Sequence, residues 1–188
     1  MTDSTAALTE FPGYKAGTWT LDPSHSEVQF SVRHMMISKV RGTFGVKSAT
    51  LTAPENPLEA TVEATVDVAS VDTKDEGRDN HLRSADFFDT ETYPTMEFRS
   101  TGVRIENGDF LVDGDLTIKG ITKPVTFDFD FGGFGTDPWG NYKAGATAKT
   151  VINREDFGLT WNAALETGGV LVGKDVTIEL DLQGSLAV

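Results

Sequence analysis

Apolar and polar residues alternate with a period of two along most of the chain. Val28, Phe30, Val32 and His34 alternate with Glu27, Gln29, Ser31 and Arg33. The alternation returns at Val40/Gly42/Phe44/Val46, at Ala60/Val62/Ala64/Val66/Val68, at Met96/Phe98/Ser100 and at Phe110 through Ile118. It returns again at Val125/Phe127/Phe129/Phe131, at Tyr142/Ala144/Ala146/Ala148 and at Val176/Ile178/Leu180/Leu182. This is the period of a β-strand with one buried and one solvated face, so it predicts eight half-buried strands. The breaks are turn chemistry: Ala53–Pro57, Asn107-Gly108-Asp109, Gly120, Gly132-Gly133, Asp137–Asn141 and Gly168-Gly169. Most links are short, which predicts antiparallel neighbours.

One segment breaks the period. Thr73-Lys74-Asp75-Glu76 has the capping-box form, with Thr73 as the cap, and predicts a short helix through about Arg83. Phe87, Phe88 and Tyr93 follow, and Pro94 stops any continuation. The helix falls in the connection between the third and fourth predicted strands.

Antiparallel strands with one apolar face each must bury those faces together. A closed barrel does so and removes the sheet edges, whereas a two-sheet sandwich is the competing solution. The predicted inner face mixes Phe with small residues: Gly42, Ala60, Ala64, Ser100, Gly114, Ala144, Ala146 and Ala148. Small residues either leave a long apolar cavity or are filled by opposing Phe rings, and the pattern admits both.

The chain has 188 residues, enough for one domain that buries about 70% of its unfolded surface. Residues 1–16 read as a flexible N-terminal arm, with a short helix around Thr5–Glu10, and 17–188 as the barrel. There is no Cys, which excludes disulfides, thiolate nucleophiles and Cys-ligated metals. A net charge of −13 repels nucleic-acid phosphates and anionic lipid surfaces unless the few cations cluster, and the sequence contains no basic run. The start MTDSTAALTE lacks a secretory pattern, and no stretch approaches the roughly 18 apolar residues of a membrane span. A cytoplasmic location is the expectation, unless a signal segment was removed.

Several catalytic and metal motifs come close and fail. Gly168–Lys174 matches the start of a phosphate loop, but Asp175 follows instead of Ser or Thr, and a strand follows instead of a helix. In the acidic stretch Asp72–Asp79, Lys74 and Arg83 stand where calcium ligands belong. Of the 3 histidines, His25 and His34 are about 30 Å apart along an extended strand, which argues against joint zinc ligation. His34 shares the inward phase of Val32, so it reads either as a hydrogen-bonded core histidine or as a polar anchor for a ligand head group. His81 reads as a solvated group or one at the barrel mouth. The acids Glu63, Asp67, Asp113, Asp115, Asp128, Asp130, Glu179 and Asp181 lie on the outward phase, as a solvated face. Met35 and Met36 read as rim packing or as adaptable contacts for an apolar ligand. Phe87 and Phe88 read as a plug or as packing, and Trp161 as core, rim or ligand platform.

A set of blocks resembles the YceI-like family. The run Trp19-Thr20-Leu21-Asp22-Pro23-Ser24-His25-Ser26, then Val28 to His34 and Val40-Arg41-Gly42-Thr43-Phe44, is similar to its opening. Asp79 to Asp89, Tyr93-Pro94 and Phe98-Arg99-Ser100 resemble its middle signature, and Gly114 to Gly120 the next block. Ile152 to Asn162 and Leu171 to Val176 resemble its last. The blocks run in order from Trp19 to about Leu186. The resemblance implies an all-β fold, an eight-stranded antiparallel lipocalin-like barrel partly closed by a helix. It implies binding of a polyprenyl chain or isoprenoid quinone tail in a central apolar channel, for carriage, storage or sequestration. No cofactor beyond that ligand, no metal and no nucleic acid are expected. Family members are often dimeric and many are periplasmic; the absent signal departs from that pattern.

The expected ligand-binding positions are Phe30, Val32, His34, Met36, Phe44, Val62, Ala64, His81, Phe87, Phe88, Phe98, Ser100, Leu116, Phe127, Phe129, Ala146, Trp161 and Leu180. No catalytic residue is expected. The alternatives are an enzyme acting on an isoprenoid in the same pocket, with His34 or His81 as base, and a solid barrel that binds a protein partner.

Overall fold

The computed structural model describes residues 11–166 and 168–188. Its elements are β1 (Gly17–Leu21), β2 (Glu27–His34), β3 (Ser38–Ala53), β4 (Thr61–Asp72), α1 (Glu76–Arg83), β5 (Thr95–Glu106), β6 (Asp109–Ile118), β7 (Ile121–Thr136), β8 (Tyr142–Asn153) and β9 (Val172–Leu186). All pairings are antiparallel, and β2 to β9 follow one another around the wall. The β3–β4 and β2–β9 ladders close the barrel. Eight strands therefore form the closed wall, as the alternation predicts. The ninth strand shares a position already taken. β1 pairs with the far ends of β3 and β9 (Trp19 with Leu51 and Leu186), whereas β2 pairs with their near ends (Val28 with Phe44 and Leu180). A single stave is thus broken in two by a 3₁₀ turn at Pro23–His25, capped by the Asp22 side chain.

Two tight hairpins carry Gly at their second positive-φ position, preceded by Asn107 in one and by Lys119, at φ 50°, in the other. Asn107-Gly108 joins β5 to β6 and Lys119-Gly120 joins β6 to β7. The β2–β3 turn is different: Met35 and Met36 sit at φ 53° and 61°. Neither is Gly, Asn or Asp, so each carries about 1 kcal/mol or more of backbone strain.

The expected capping box does not form. Asp75 is the cap of α1 and accepts from the Arg78 amide, one residue before Glu76. Thr73 is buried instead, and its N–H and hydroxyl both donate to Asp79 Oδ1 at 2.9 and 2.6 Å. This ties the start of the connection to the helix face that looks into the barrel.

The N-terminal half of the expected arm, including the Thr5–Glu10 helix, lies outside the described residues. Within residues 11–16, Phe11 and Tyr14 pack on the barrel, while Pro12, Gly13, Lys15 and Ala16 are exposed. Phe11 is buried edge-on against Phe110 and Phe131 at 4.9 and 5.0 Å. The Tyr14 hydroxyl donates to Pro54 O, and the Tyr142 hydroxyl to Gly13 O. The rings of Phe110 and Phe131 at the barrel end supply the apolar surface that Phe11 covers.

One seam is open. β7 pairs with β8 only from Asp128 onward, so residues 121–127 have β6 alone as partner. The splay leaves a groove of about 510 Å³ whose walls include Lys123, Pro124, Thr126, Val151 and Asp156. Pro124 offers no N–H on this edge, which discourages strand addition.

Candidate ligand cavity

The inner faces of the two barrel halves differ. Toward the β1 end, rings fill the space. Phe129, Phe131 and Phe134 of β7 stand opposite Ala148, Ala146 and Ala144 of β8, so each small residue receives a ring across the ladder. Gly114 lies under the Phe98 ring, which meets Phe127 edge-on at 5.4 Å. Phe110, Phe131, Trp19, Tyr142 and Phe11 close that end.

At the other end lies a cavity of about 420 Å³. β2 and β3 supply Val28, Phe30, Val32, His34, Val40 and Phe44; β9 supplies Val176 and Ile178; β5, β6 and β8 add Met96, Ile118 and Ile152. The roof has two parts. One is α1 with Arg78, His81 and Leu82, continued by Phe87 and Phe88. The other is the β8–β9 connection, with Leu159, Trp161 and Leu171. The roof is joined by rings: His81 stands edge-on to Trp161 at 4.7 Å and to Phe87 at 5.1 Å.

Arg154 holds the second part of the roof. It is 3% exposed, in the 3₁₀ turn Arg154–Phe157 that follows β8. Its guanidinium donates to the carbonyls of Gly173 (2.7 Å), Leu159 (2.5 Å), Trp161 (3.0 Å) and Val172 (3.4 Å). No carboxylate lies within ion-pair distance of it among the described residues. Burial pushes its pKa down, yet an arginine remains protonated at neutral pH. Asn162 adds a second clasp, accepting from Val172 N and donating to Val172 O. Arg78 is held by Thr73, through Nε to Oγ1 and a terminal nitrogen to the carbonyl.

The ionisable members of the lining are Arg33, Arg78, Arg154, His34 and His81, and no Asp or Glu is among them. This stands out in a chain with 29 acids and 16 Lys and Arg. His81 Nε2 bonds Asp86 at 2.8 Å, on the outer side of the roof. The His34 ring bonds no described group, so the hydrogen-bonded core histidine of the sequence reading is absent. The lining holds no Ser, Thr, Tyr, Lys or carboxylate to serve as a nucleophile. No group of three metal-ligating side chains gathers among the described residues.

The YceI-like domain family matches residues 19–184. The chain belongs to this family. The UPF0312 protein SA2479 of Staphylococcus aureus (strain N315) is 41% identical over 172 residues, covering 90% of this chain and 98% of that protein. Among solved structures, Burkholderia cenocepacia BcnA has a TM-score of 0.74 at 25% identity, over 87% of this chain and 98% of its own. The Campylobacter jejuni YCEI protein has a TM-score of 0.70 at 29% identity, over 83% and 90%. A polyisoprenoid-binding domain from Saccharophagus degradans shares the fold with a TM-score of 0.67 at 15% identity, over 90% and 98%.

Within this YceI-like barrel the expected positions divide. Phe30, Val32, His34, Phe44, His81, Phe87, Phe88 and Trp161 line the cavity. Val62, Ala64, Phe98, Ser100, Leu116, Phe127, Phe129, Ala146 and Leu180 are off its wall; several belong to the filled half. The Ser100 hydroxyl is already used, accepting from Val62 N at 2.7 Å. Met36 is 63% exposed at the hairpin tip. Among wall residues outside the expected set, Val176, Ile178 and Val28 carry the inward phase, which was signal enough. Arg154 and Leu159 lie in a connection with no period; the Ile152 to Asn162 block marks the segment, but nothing in it assigns these two to the wall. Among the described residues no helix is long and apolar enough to cross a membrane.

Proposed function

We propose that this protein binds a long-chain isoprenoid amphiphile, a polyprenyl chain or isoprenoid quinone tail, in the roofed half of the barrel, for carriage, storage or sequestration. The observation that carries this reading is the cavity: about 420 Å³, walled by aliphatic and aromatic side chains, with only basic groups among its ionisable members. That volume is in the range of small-molecule sites. Burial of roughly 300 Å² of ligand surface favours binding by about 7 kcal/mol before ordering costs. Family membership and the polyisoprenoid-binding description of the Saccharophagus degradans neighbour point the same way. The lack of a nucleophile on the wall supports binding over catalysis. Arg33 and His34, whose side chains bond no described group, suit a head group that accepts hydrogen bonds, such as a quinone or a phosphate.

Native mass spectrometry of the purified protein, with solvent extraction of what is released, tests this. A discrete isoprenoid adduct is the expected result, with uptake of a graded isoprenoid series by stripped protein. Ile178→Trp, which fills the cavity from β9, is expected to lower uptake at least tenfold with the fold retained. Stripped wild-type protein that takes up no member of the series would overturn the reading.

A further inference from the structure

The β2–β3 hairpin combines three features that are each locally unfavourable. Its turn places Met35 and Met36 at positive φ, where the β5–β6 turn uses Asn-Gly. The strained residues and the next one remain in solvent: Met35 is 42% exposed, Met36 63% and Ile37 80%. Three consecutive exposed apolar residues lower solubility and add nothing to the core. Below the tip, Arg33 stands directly opposite Lys39, and Arg41 lies two residues further along the same outer face. Like charges across a ladder repel. All three are exposed, and none has a hydrogen bond or ion pair from its side chain to any described residue.

The hairpin also projects. Ser38 to Gly42 pair with β2 alone, because β4 joins β3 only from Thr43. The tip borders the cavity mouth. Met35 N donates to Leu171 O, Met36 lies against Gly169, and both His34 and Arg33 belong to the cavity wall. Val170, beside them, is 40% exposed.

From these observations we infer that the β2–β3 hairpin docks on an anionic phospholipid bilayer, with Met35, Met36 and Ile37 entering the interface and Arg33, Lys39 and Arg41 on the phosphates. The occupant follows from chemistry. Flexible apolar side chains over a cationic collar match an anionic headgroup layer above hydrocarbon. The remaining charge of the chain, net −13 overall, is repelled by the same surface. Docking by this hairpin brings the cavity mouth to the membrane. The sequence shows no basic run because the collar comes from two strands.

The test is flotation of the full chain with vesicles of phosphatidylcholine alone or with one third phosphatidylglycerol. Wild type is expected to float with the anionic vesicles only, and to be released by salt. Lys39→Ser with Arg41→Ser is expected to lower the partition coefficient by roughly tenfold or more. Its isoprenoid uptake from a cyclodextrin carrier should be unchanged, since neither residue lines the cavity. Met35→Asn with Met36→Gly is expected to abolish flotation while raising the thermal midpoint, because it relieves the turn. A purely structural role for the two methionines would not give that pair of results. Wild type that ignores anionic vesicles overturns the inference, as does flotation unaffected by either double variant. So does sedimentation showing a dimer that Met35→Asn/Met36→Gly dissociates, which assigns the tip to a second copy. Flotation lost with uptake intact removes docking alone; uptake absent with flotation intact removes the lipid-binding reading alone.

Discussion

The two halves of the barrel wall are written in the same alternating code and end in opposite states. In the β1 half each small inner residue has a ring across the ladder: Ala148 faces Phe129, Ala146 faces Phe131, and Ala144 faces Phe134. In the roofed half Gly42 lies under the Phe30 ring, but beyond that ring the space stays open. The closing devices differ as well. Phe11 and its neighbours plug one end by packing alone. A helix and a loop cover the other, held by polar groups: Asp79 on Thr73, Arg83 on Ala69 O and Val71 O, and Arg154 on four carbonyls. A plug of rings leaves no room, whereas a roof tied by hydrogen bonds at its rim can span a void.

The sharpest way to break this contrast is to truncate one ring in each half. Phe127→Ala is expected to cost about 3–5 kcal/mol, since Phe127 is buried against Phe98. Phe30→Ala should cost only about 1–2 kcal/mol, because its ring already borders open space. Urea midpoints measure both, and equal losses would mean that the halves are packed alike.

Next in size is the roof clasp. Arg154→Met leaves four carbonyls without their donor and is expected to cost about 3 kcal/mol. Arg154→Lys should recover little, because one ammonium cannot reproduce the planar fork. Arg104→Met in the other half removes an exposed, solvent-screened ion pair with Asp113 and should shift the urea midpoint far less. Hydrogen exchange at Leu159 to Val172 reports whether the roof loosens first.

A smaller effect separates two glycines. A methyl at Gly114 meets the Phe98 ring and the Arg99 carbonyl oxygen at 2.7 Å, and backbone cannot yield, so Gly114→Ala should cost about 1–3 kcal/mol. A methyl at Gly42 meets the end of the Phe30 ring, which can swing into the cavity, and the Thr73 methyl carbon at 2.9 Å, with no backbone atom closer than that. Gly42→Ala should therefore cost less and reduce ligand capacity, read by thermal midpoint and isoprenoid uptake together.

The smallest effect is acid sensitivity. Hydrogen bonds from Ser24 and His25 hold Asp22 well below the usual carboxylate range. Arg104 and Thr126 lower Asp113, and Asn141 lowers Asp137. A lowered folded pKa gives stability that is present above the unfolded value of about 4 and is lost as pH falls below it. All three acids serve β1-half turns and ladders. Amides of β1 and of the β7–β8 turn should lose exchange protection below about pH 4 before those of α1, and Asp22→Asn should flatten that response at β1.

Much of this was legible before any tertiary contact. The phases of Phe30, His34, Phe44 and Val176 follow from alternation, and the helix follows from its polar start. The site was less legible, for stated physical reasons. Phe98 and Phe127 carry the same inward phase as Phe30, and phase does not say how far across the barrel a ring reaches. Arg154 sits in a segment with no period, and its role exists only because four carbonyls converge on it. The cap moved from Thr73 to Asp75 because Thr73 found a buried partner in Asp79. The break between β1 and β2 depends on both halves finding room between β3 and β9.

The sequence by itself determined the local terms: which face of each strand is apolar, where the chain turns, and that the whole carries strong negative charge. Those terms act over a few residues and are summed along the chain. Which half is hollow, which cations gather beneath the hairpin tip, and which carbonyls surround Arg154 were decided by register across ladders between residues distant in sequence. Alternation sets the side on which a residue falls, and only the folded wall sets what stands opposite it.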